Sequence, residues 1–250
     1  MGIVITNGVQ LNSLKMVAGN VPSTTTATVI TNGLSLYYDA SNASSYPGSG
    51  NTVTDLSGNS RTGTLQGTAG GYSNVAGGAW TFNGTDQFIT TNYIPSNTCT
   101  FQIAFYNNTS YSTPWNRGIF STYGGTNYYG IYVAACYTTL NTNGMHMYTD
   151  NNTLFSIGVQ NSTFAINTWY ILTVVSTGSQ VRVYLNGNTN PITTASTTTS
   201  HADTLAIGTS KFDARYWTGY IGNFLTYNRA LSTTEIATNY NTLKTRFGLS

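Results

Sequence analysis

The sequence predicts an all-β domain: two packed antiparallel sheets with one short C-terminal helix, preceded by an extended N-terminal arm. Three observations predict it. From Leu34 onward, apolar and polar residues alternate in short runs, the period of a half-buried strand. Clusters of Gly, Asn and Ser break those runs as turns do. The chain has 250 residues, enough for one sandwich with a sizeable core and little room for a second full domain.

The elements follow in order. Residues 1–30 form the arm, because Met1 to Asn20 is a short mixed stretch and Val21-Pro22-Ser23-Thr24-Thr25-Thr26-Ala27-Thr28 reads as a linker that buries little. Residues 31–250 form the sandwich. Its clearest strands carry Leu34, Leu36 and Tyr38; then Cys99, Phe101, Ile103 and Phe105; then Trp169, Ile171, Thr173 and Val175. Val181, Val183 and Leu185 follow, running into the turn Asn186-Gly187. About a dozen strands without interleaved helices require two sheets. The helix is signalled by the capping box Ser232-Thr233-Thr234-Glu235 and by Ile236, Tyr240, Leu243 and Phe247 on one face. Lys244 and Arg246 suit its C-terminal dipole, Gly248 its left-handed closure, and the helix is expected to clasp the sandwich edge.

Composition excludes several classes. Only 6% of residues are charged, and the nine Lys and Arg are scattered from Lys15 to Arg246, so no basic track fits a phosphate backbone. No stretch approaches the ~20 apolar residues of a spanning helix. The amino terminus lacks a basic segment followed by an apolar signal core, so synthesis in a cytoplasm is expected. Cys99 and Cys136 lie in strand-like runs, and without a signal peptide they read as buried thiols rather than a bridge.

Catalytic patterns are equally thin. Glu235 is the single glutamate and is absorbed by the capping box; Asp39, Asp55, Asp86, Asp150, Asp203 and Asp213 lie on separate segments, unlike the paired carboxylates of a glycosidase. His146 and His201 lack a nucleophile elbow. No catalytic residue and no cofactor are expected, with a structural calcium as the alternative left open. What remains is binding by aromatic and amide groups, for which 19 tyrosines supply faces. They concentrate outside clear strands at Trp115 and Arg117, at Tyr123, Asn127 and Tyr128, and at Asp213 and Arg215. The competing reading of the last place is that Tyr216 and Trp217 cover the sandwich.

An ordered set of pieces then carries a resemblance. They are Gly33-Leu34-Ser35-Leu36-Tyr37-Tyr38-Asp39-Ala40, Asp55-Leu56-Ser57-Gly58-Asn59, Phe82-Asn83-Gly84-Thr85-Asp86-Gln87-Phe88-Ile89, Trp169-Tyr170, Val181-Arg182-Val183-Tyr184-Leu185-Asn186-Gly187, Leu205-Ala206-Ile207-Gly208 and Gly219-Tyr220-Ile221-Gly222-Asn223-Phe224 through Leu231. Together they resemble the concanavalin A-like, laminin-G-like jelly-roll family, in particular its versions in virion proteins of tailed bacteriophages. Relatives often carry two adjacent acids where this chain has Asp86-Gln87, which weighs against calcium at that turn. The resemblance implies a jelly-roll sandwich and a non-catalytic virion structural protein, either capsid decoration or tail-associated, on the virion surface. Its expected partners are other virion proteins, reached through the arm, in a homo-oligomer, with no nucleic acid and no membrane. The alternative is an adhesin that binds a host surface glycan.

Overall fold

The structure is a computed structural model described over residues 28–68, 71–108, 117–122, 130–138, 141–150, 153–157, 164–210 and 214–250, leaving aside the side chains of 136–138, 141–144 and 154–157. In chain order its strands are β1 (Leu34–Asp39), β2 (Thr52–Val53), β3 (Gly63–Gln66), β4 (Gly71–Ser73), β5 (Ala79–Asn83), β6 (Phe88–Thr90), β7 (Thr98–Asn107), β8 (Arg117–Ser121) and β9 (Tyr132–Thr138). There follow β10 (Asn141–Thr149), β11 (Thr153–Ile157), β12 (Thr168–Thr177), β13 (Gln180–Leu185), β14 (Thr193–Ser196), β15 (Ala206–Ile207), β16 (Thr209–Ser210), β17 (Arg215–Tyr216), β18 (Thr218–Tyr227) and the helix α1 (Thr233–Leu243).

Two antiparallel sheets form the expected sandwich. The first runs β14-β13-β12-β7-β18-β5-β4, with β1 also paired to β18; the second runs β11-β10-β9-β8-β15-β6-β3-β2. The long strands β7, β12 and β18 make the centre of the first sheet, with β12 paired to β7 from Thr168↔Asn107 to Thr177↔Thr98. Their alternation, shifted on β18 by an irregularity between Ile221 and Asn223, sends Cys99, Phe101, Ile103, Phe105, Leu172, Val174, Ile221 and Phe224 inward. There they meet Val53, Leu65, Ile89, Phe120, Val133, Met145 and Met147 of the second sheet. Aromatic rings interlock across the gap: Phe101 lies 5.1 Å from Phe120, and Trp217 meets Phe105 edge-on at 5.7 Å and 85°.

The helix corrects one expectation. It packs on the outer face of the first sheet rather than on an edge, with Ile236, Tyr240, Leu243 and Phe247 over Ala104, Ile171, Val175, Leu225 and Tyr227. β12 is therefore buried on both faces, and its Trp169-Ile171-Thr173-Val175 set is the one beneath the helix. The capping box forms as predicted, Ser232 Oγ accepting from Glu235 N. Gly248 closes the terminal turn in the left-handed conformation, φ 66°. Arg246 leaves the helix axis and inserts into the fold, pairing with Asp39 at 2.6 Å. The end of the arm is anchored here too: Ile30 N donates to Asn239 Oδ1 at 2.7 Å, and Val29 is buried in the same cluster.

The predicted turn at Asn186-Gly187 forms with positive φ at both residues (49° and 66°), and Asn188 N donates to Leu185 O across it. A Cβ on Gly187 would stand 2.4 Å from the Tyr240 ring, so only glycine lets this turn sit under the helix.

Candidate functional site on the outer face of the second sheet

With the first sheet covered by α1, the outer face of the second sheet is the broad surface left by the fold. Register fixes which residues share it. Leu65, Ile89, Ile207 and Val133 point into the core, so their neighbours point out. One cross-strand row reads Thr52, Thr64, Thr90, Ala206, Ser121, Tyr132 and Tyr148 on β2, β3, β6, β15, β8, β9 and β10. At ~4.8 Å per strand it is about 29 Å long. A second row pairs Gln66 with Phe88.

This face has an open and a covered half. Thr52 and Thr64 are exposed, and Gln66, Phe88, Thr90 and Tyr216 are half-buried. Phe88 and Tyr216 lie 5.7 Å apart, tilted by 40°. Gln66 Nε2 donates to Thr90 Oγ1 at 3.2 Å, which sets the amide beside the aromatic pair. Toward β8–β10, Ala206, Ser121, Ala134 and Tyr132 are buried, and Tyr132 stacks on Tyr148 at 5.5 Å and 16°. Part of this cover is the β16–β17 hairpin, whose Ser210 N would stand 2.3 Å from a Cβ on Gly118. Glycine at 118 lets the hairpin backbone lie directly on β8.

The covered half holds His146. It points away from Met145 and Met147, as expected from their alternation, yet it is fully buried and neither ring nitrogen has a hydrogen-bond partner among the described residues. Burial holds its pKa below the ordinary histidine range.

The sequence-predicted residues divide. Arg117 opens β8 and donates to Thr218 Oγ1 at the start of β18, tying the two sheets at one end. Arg215 pairs with Ser210 in the hairpin over the same strand, so the structure brings these two segments together. Trp115 and Asp213 lie outside the described residues, as do Tyr123, Asn127 and Tyr128. Trp217 is a core residue, as the covering interpretation had it. Phe88, Gln66 and Thr90 were missed, although Phe88 has the opposite parity to Ile89 on a short alternating strand and so must face outward.

Another cluster, invisible in sequence, closes the opposite end. His201 Nδ1 lies 2.7 Å from Thr122 Oγ1, and its Nε2 lies 3.4 Å from Cys99 Sγ. Cys99 is a free, fully buried thiol whose pKa burial pushes up, and burial lowers His201 to about 4, with Asp150 opposing. A protonated thiol sealed in the core is no nucleophile. This group is a keystone joining β7, β8 and the segment before β15.

Asp39, Asp55 and Asp86 serve separate sets of partners. Asp39 serves Arg246, Tyr37 and Ser41. Asp55 accepts from the amides of Tyr37, Ser57 and Arg61. Asp86 accepts from Thr68 and Asn83. Among the described residues no three His, Cys, Asp or Glu side chains are grouped so that they could hold a metal ion.

Comparison with known proteins completes the picture. Residues 82–237 match the family model for the concanavalin A-like lectin/glucanases superfamily. Among solved structures, the chain is similar to domain 4 of AbnA, a GH43 extracellular arabinanase from Geobacillus stearothermophilus, in complex with arabinotriose. The TM-score is 0.61 and the identity 16%, over 84% of this chain and 98% of that one. It is also similar to the binding domain of botulinum neurotoxin DC in complex with SialylT (0.62, 14%, 85% and 52%) and to that of serotype D (0.63, 13%, 85% and 52%). The chain thus spans about half the length of the neurotoxin domains, and at these identities the likeness is one of fold. A search of curated proteins found no match.

Proposed function

The chain belongs to the concanavalin A-like lectin/glucanase superfamily, and from that membership we propose that it is a carbohydrate-binding sandwich that holds a glycan without cleaving it. The observation that carries the reading is the open half of the second sheet's outer face. There Phe88 and Tyr216 stand half-exposed beside the Gln66 amide and the hydroxyls of Thr90 and Thr64. Aromatic rings accept the apolar side of a sugar, while amide and hydroxyl groups exchange hydrogen bonds with its O–H groups. The arabinotriose in the arabinanase domain and the SialylT in the neurotoxin domain support the class of ligand.

Binding rather than hydrolysis is supported by the fate of the acids. Glu235 is held by Arg229 at 2.6 Å and by the amide of Ser232, and Asp39, Asp55 and Asp86 are engaged with separate partners. Two-carboxylate cleavage needs a pair about 5–9.5 Å apart across the sugar. The test is a glycan array followed by titration of Phe88→Ala and Tyr216→Ala. Each is expected to weaken binding by about two- to tenfold while unfolding cooperatively, in line with losing ~0.5–1.5 kcal/mol of aromatic contact. Wild-type affinity in both variants refutes the site.

A virion-surface setting, with the arm as the particle contact, is our second proposal. The anchoring of residues 28–32 supports it: Ile30 N bonds Asn239, and Arg229 Nε donates to Asn32 O at 3.0 Å. This puts the arm's exit on the covered sheet, away from the open face. Deleting residues 1–27 is expected to give a folded, glycan-competent sandwich missing from purified particles. Full occupancy of the truncated protein on particles removes the idea.

A further inference from the structure

Between β14 and β15 the residues Thr197–His201 belong to neither sheet, yet they are bonded to both. Thr197 Oγ1 lies 2.9 Å from Thr149 Oγ1 at the end of β10, and Ser200 N donates to Asp150 Oδ1 at 3.1 Å, both on the side of the second sheet. Thr199 Oγ1 lies 2.5 Å from Ser176 Oγ of β12 and 3.2 Å from Asn97 O before β7, on the side of the first. His201 reaches both sides at once, with Nδ1 2.7 Å from Thr122 Oγ1 after β8 and Nε2 3.4 Å from Cys99 Sγ of β7. We propose that this segment is an acid-released strap: protonation of His201 lifts it from the end of the sandwich and uncovers the Cys99 thiol.

The imidazole is the sensitive member of the strap. It is half-buried, so a proton reaches it without unfolding of the sheets, but it stands edge-on to the Phe101 ring at 5.8 Å and its nitrogens face a hydroxyl and a thiol. Neither of those groups carries a charge to offset an imidazolium. Cys99 is fully buried and keeps its proton, because burial pushes its pKa up. Asp150, just after β10, is the carboxylate that opposes the effect, and it already accepts from the amides of Gly130 and Ser200. Asp203, on the strap's own segment, accepts from the amide of Thr204. Residues 123–129, which continue from Thr122, contain no ionisable side chain except tyrosines.

In place, burial holds His201 at about 4, whereas a lifted strap returns it to water and to an ordinary value near 6.5. The closed form binds the proton more weakly, so acid favours the open form, and the opening equilibrium rises about twentyfold from pH 7 to pH 5. The opening is local. The amides of Thr197, Thr199 and Ser200 hold the strap at one end of the sandwich, while β7 stays paired to β12 along all ten of its residues.

The test uses the full chain with Cys136→Ser, which leaves Cys99 as its single thiol. The rate at which dithiodipyridine labels that thiol is measured at pH 7 and pH 5, each divided by the rate for the same protein unfolded in urea. The ratio is expected to rise about twentyfold on acidification in this parent and less than about twofold when His201→Gln is added. Over the same range the amides of Thr197, Thr199 and Ser200 lose protection against hydrogen exchange, while those of β7 and β12 keep theirs. A ratio that pH leaves unchanged, or an equal rise with His201→Gln, overturns the proposal. Loss of protection in β7 and β12 in step with the strap overturns it too, since the whole domain then opens. Should His201→Gln fail to fold, the His201 ring signal in NMR decides instead: titration near the ordinary value of about 6.5 in the folded parent overturns the proposal.

Discussion

Replacing Arg246 with Ala removes a side chain that makes four hydrogen bonds. Its Nη1 pairs with Asp39 at 2.6 Å, Nε donates to Ala76 O at 2.8 Å, and Nη2 donates to Gly78 O at 2.6 Å and Gly222 O at 3.2 Å. Asp39 is 6% exposed, so the variant takes a donor from a buried carboxylate and from the Ala76 and Gly78 carbonyls, while Gly222 O keeps the amide of Ala40. Breaking a buried pair from one side costs about 3–5 kcal/mol. Asp39 keeps Tyr37 OH and the amide and hydroxyl of Ser41, which favours the lower end, about 3 kcal/mol. For a domain of this size that corresponds to a fall in Tm of roughly 6–12 °C. Urea unfolding reads it as a lower midpoint with an unchanged slope. Arg246→Lys, which keeps the charge and loses the fork, falls between. Asp39→Asn added to Arg246→Ala recovers part of the loss, because the uncompensated charge is gone. A loss below about 1 kcal/mol for Arg246→Ala means that the buried cluster does not hold the helix end to the sheet.

Three further outcomes follow from the packing. Gly187→Ala puts a methyl 2.4 Å from the Tyr240 ring at φ 66°, and a loss of about 2–4 kcal/mol is expected in urea unfolding; a neutral result contradicts the turn's place under the helix. His201 is neutral in the fold, its pKa lowered to about 4 by burial, so its contribution is full above the unfolded value near 6.5 and declines as pH falls from there through 4. Stability measured from pH 7 to 4 should drop more in the wild type than in His201→Gln, and parallel curves rule this out. His146→Phe replaces a buried imidazole that lacks hydrogen-bond partners among the described residues, and removing that desolvated group should raise stability by about 1 kcal/mol after some overpacking. A clear loss shows that the imidazole is satisfied in solution.

The sequence made the inward sets legible because they obey a period of two: Cys99, Phe101, Ile103 and Phe105 are core residues as predicted. The helix was legible from its cap and its apolar face. Its seat was not, because alternation on β12 does not say whether the second face meets water or the helix; Ile171 and Val175 look alike in either case. The site was harder for the same reason. Aromatic residues in loops drew attention to Trp115 and Tyr123, while Phe88 stood on a three-residue strand whose outward side becomes a surface only once α1 has covered the other sheet. The Cys99–His201 contact spans 102 positions and leaves no local pattern at all.

The pairing of β1 with β18 joins Leu34 to Tyr227, roughly 190 positions apart, and β18 also supplies the neighbour of β7 in the middle of the first sheet. During synthesis β7 therefore waits for about 120 further residues, on the order of ten seconds at ribosomal rates, with one edge unpaired. The sandwich closes from its two ends at once, late, and largely through non-local contacts, which marks it as a slow folder. The Thr and Gln at alternate positions of that waiting strand, Thr98, Thr100 and Gln102, keep its outward side polar until the helix arrives to cover it.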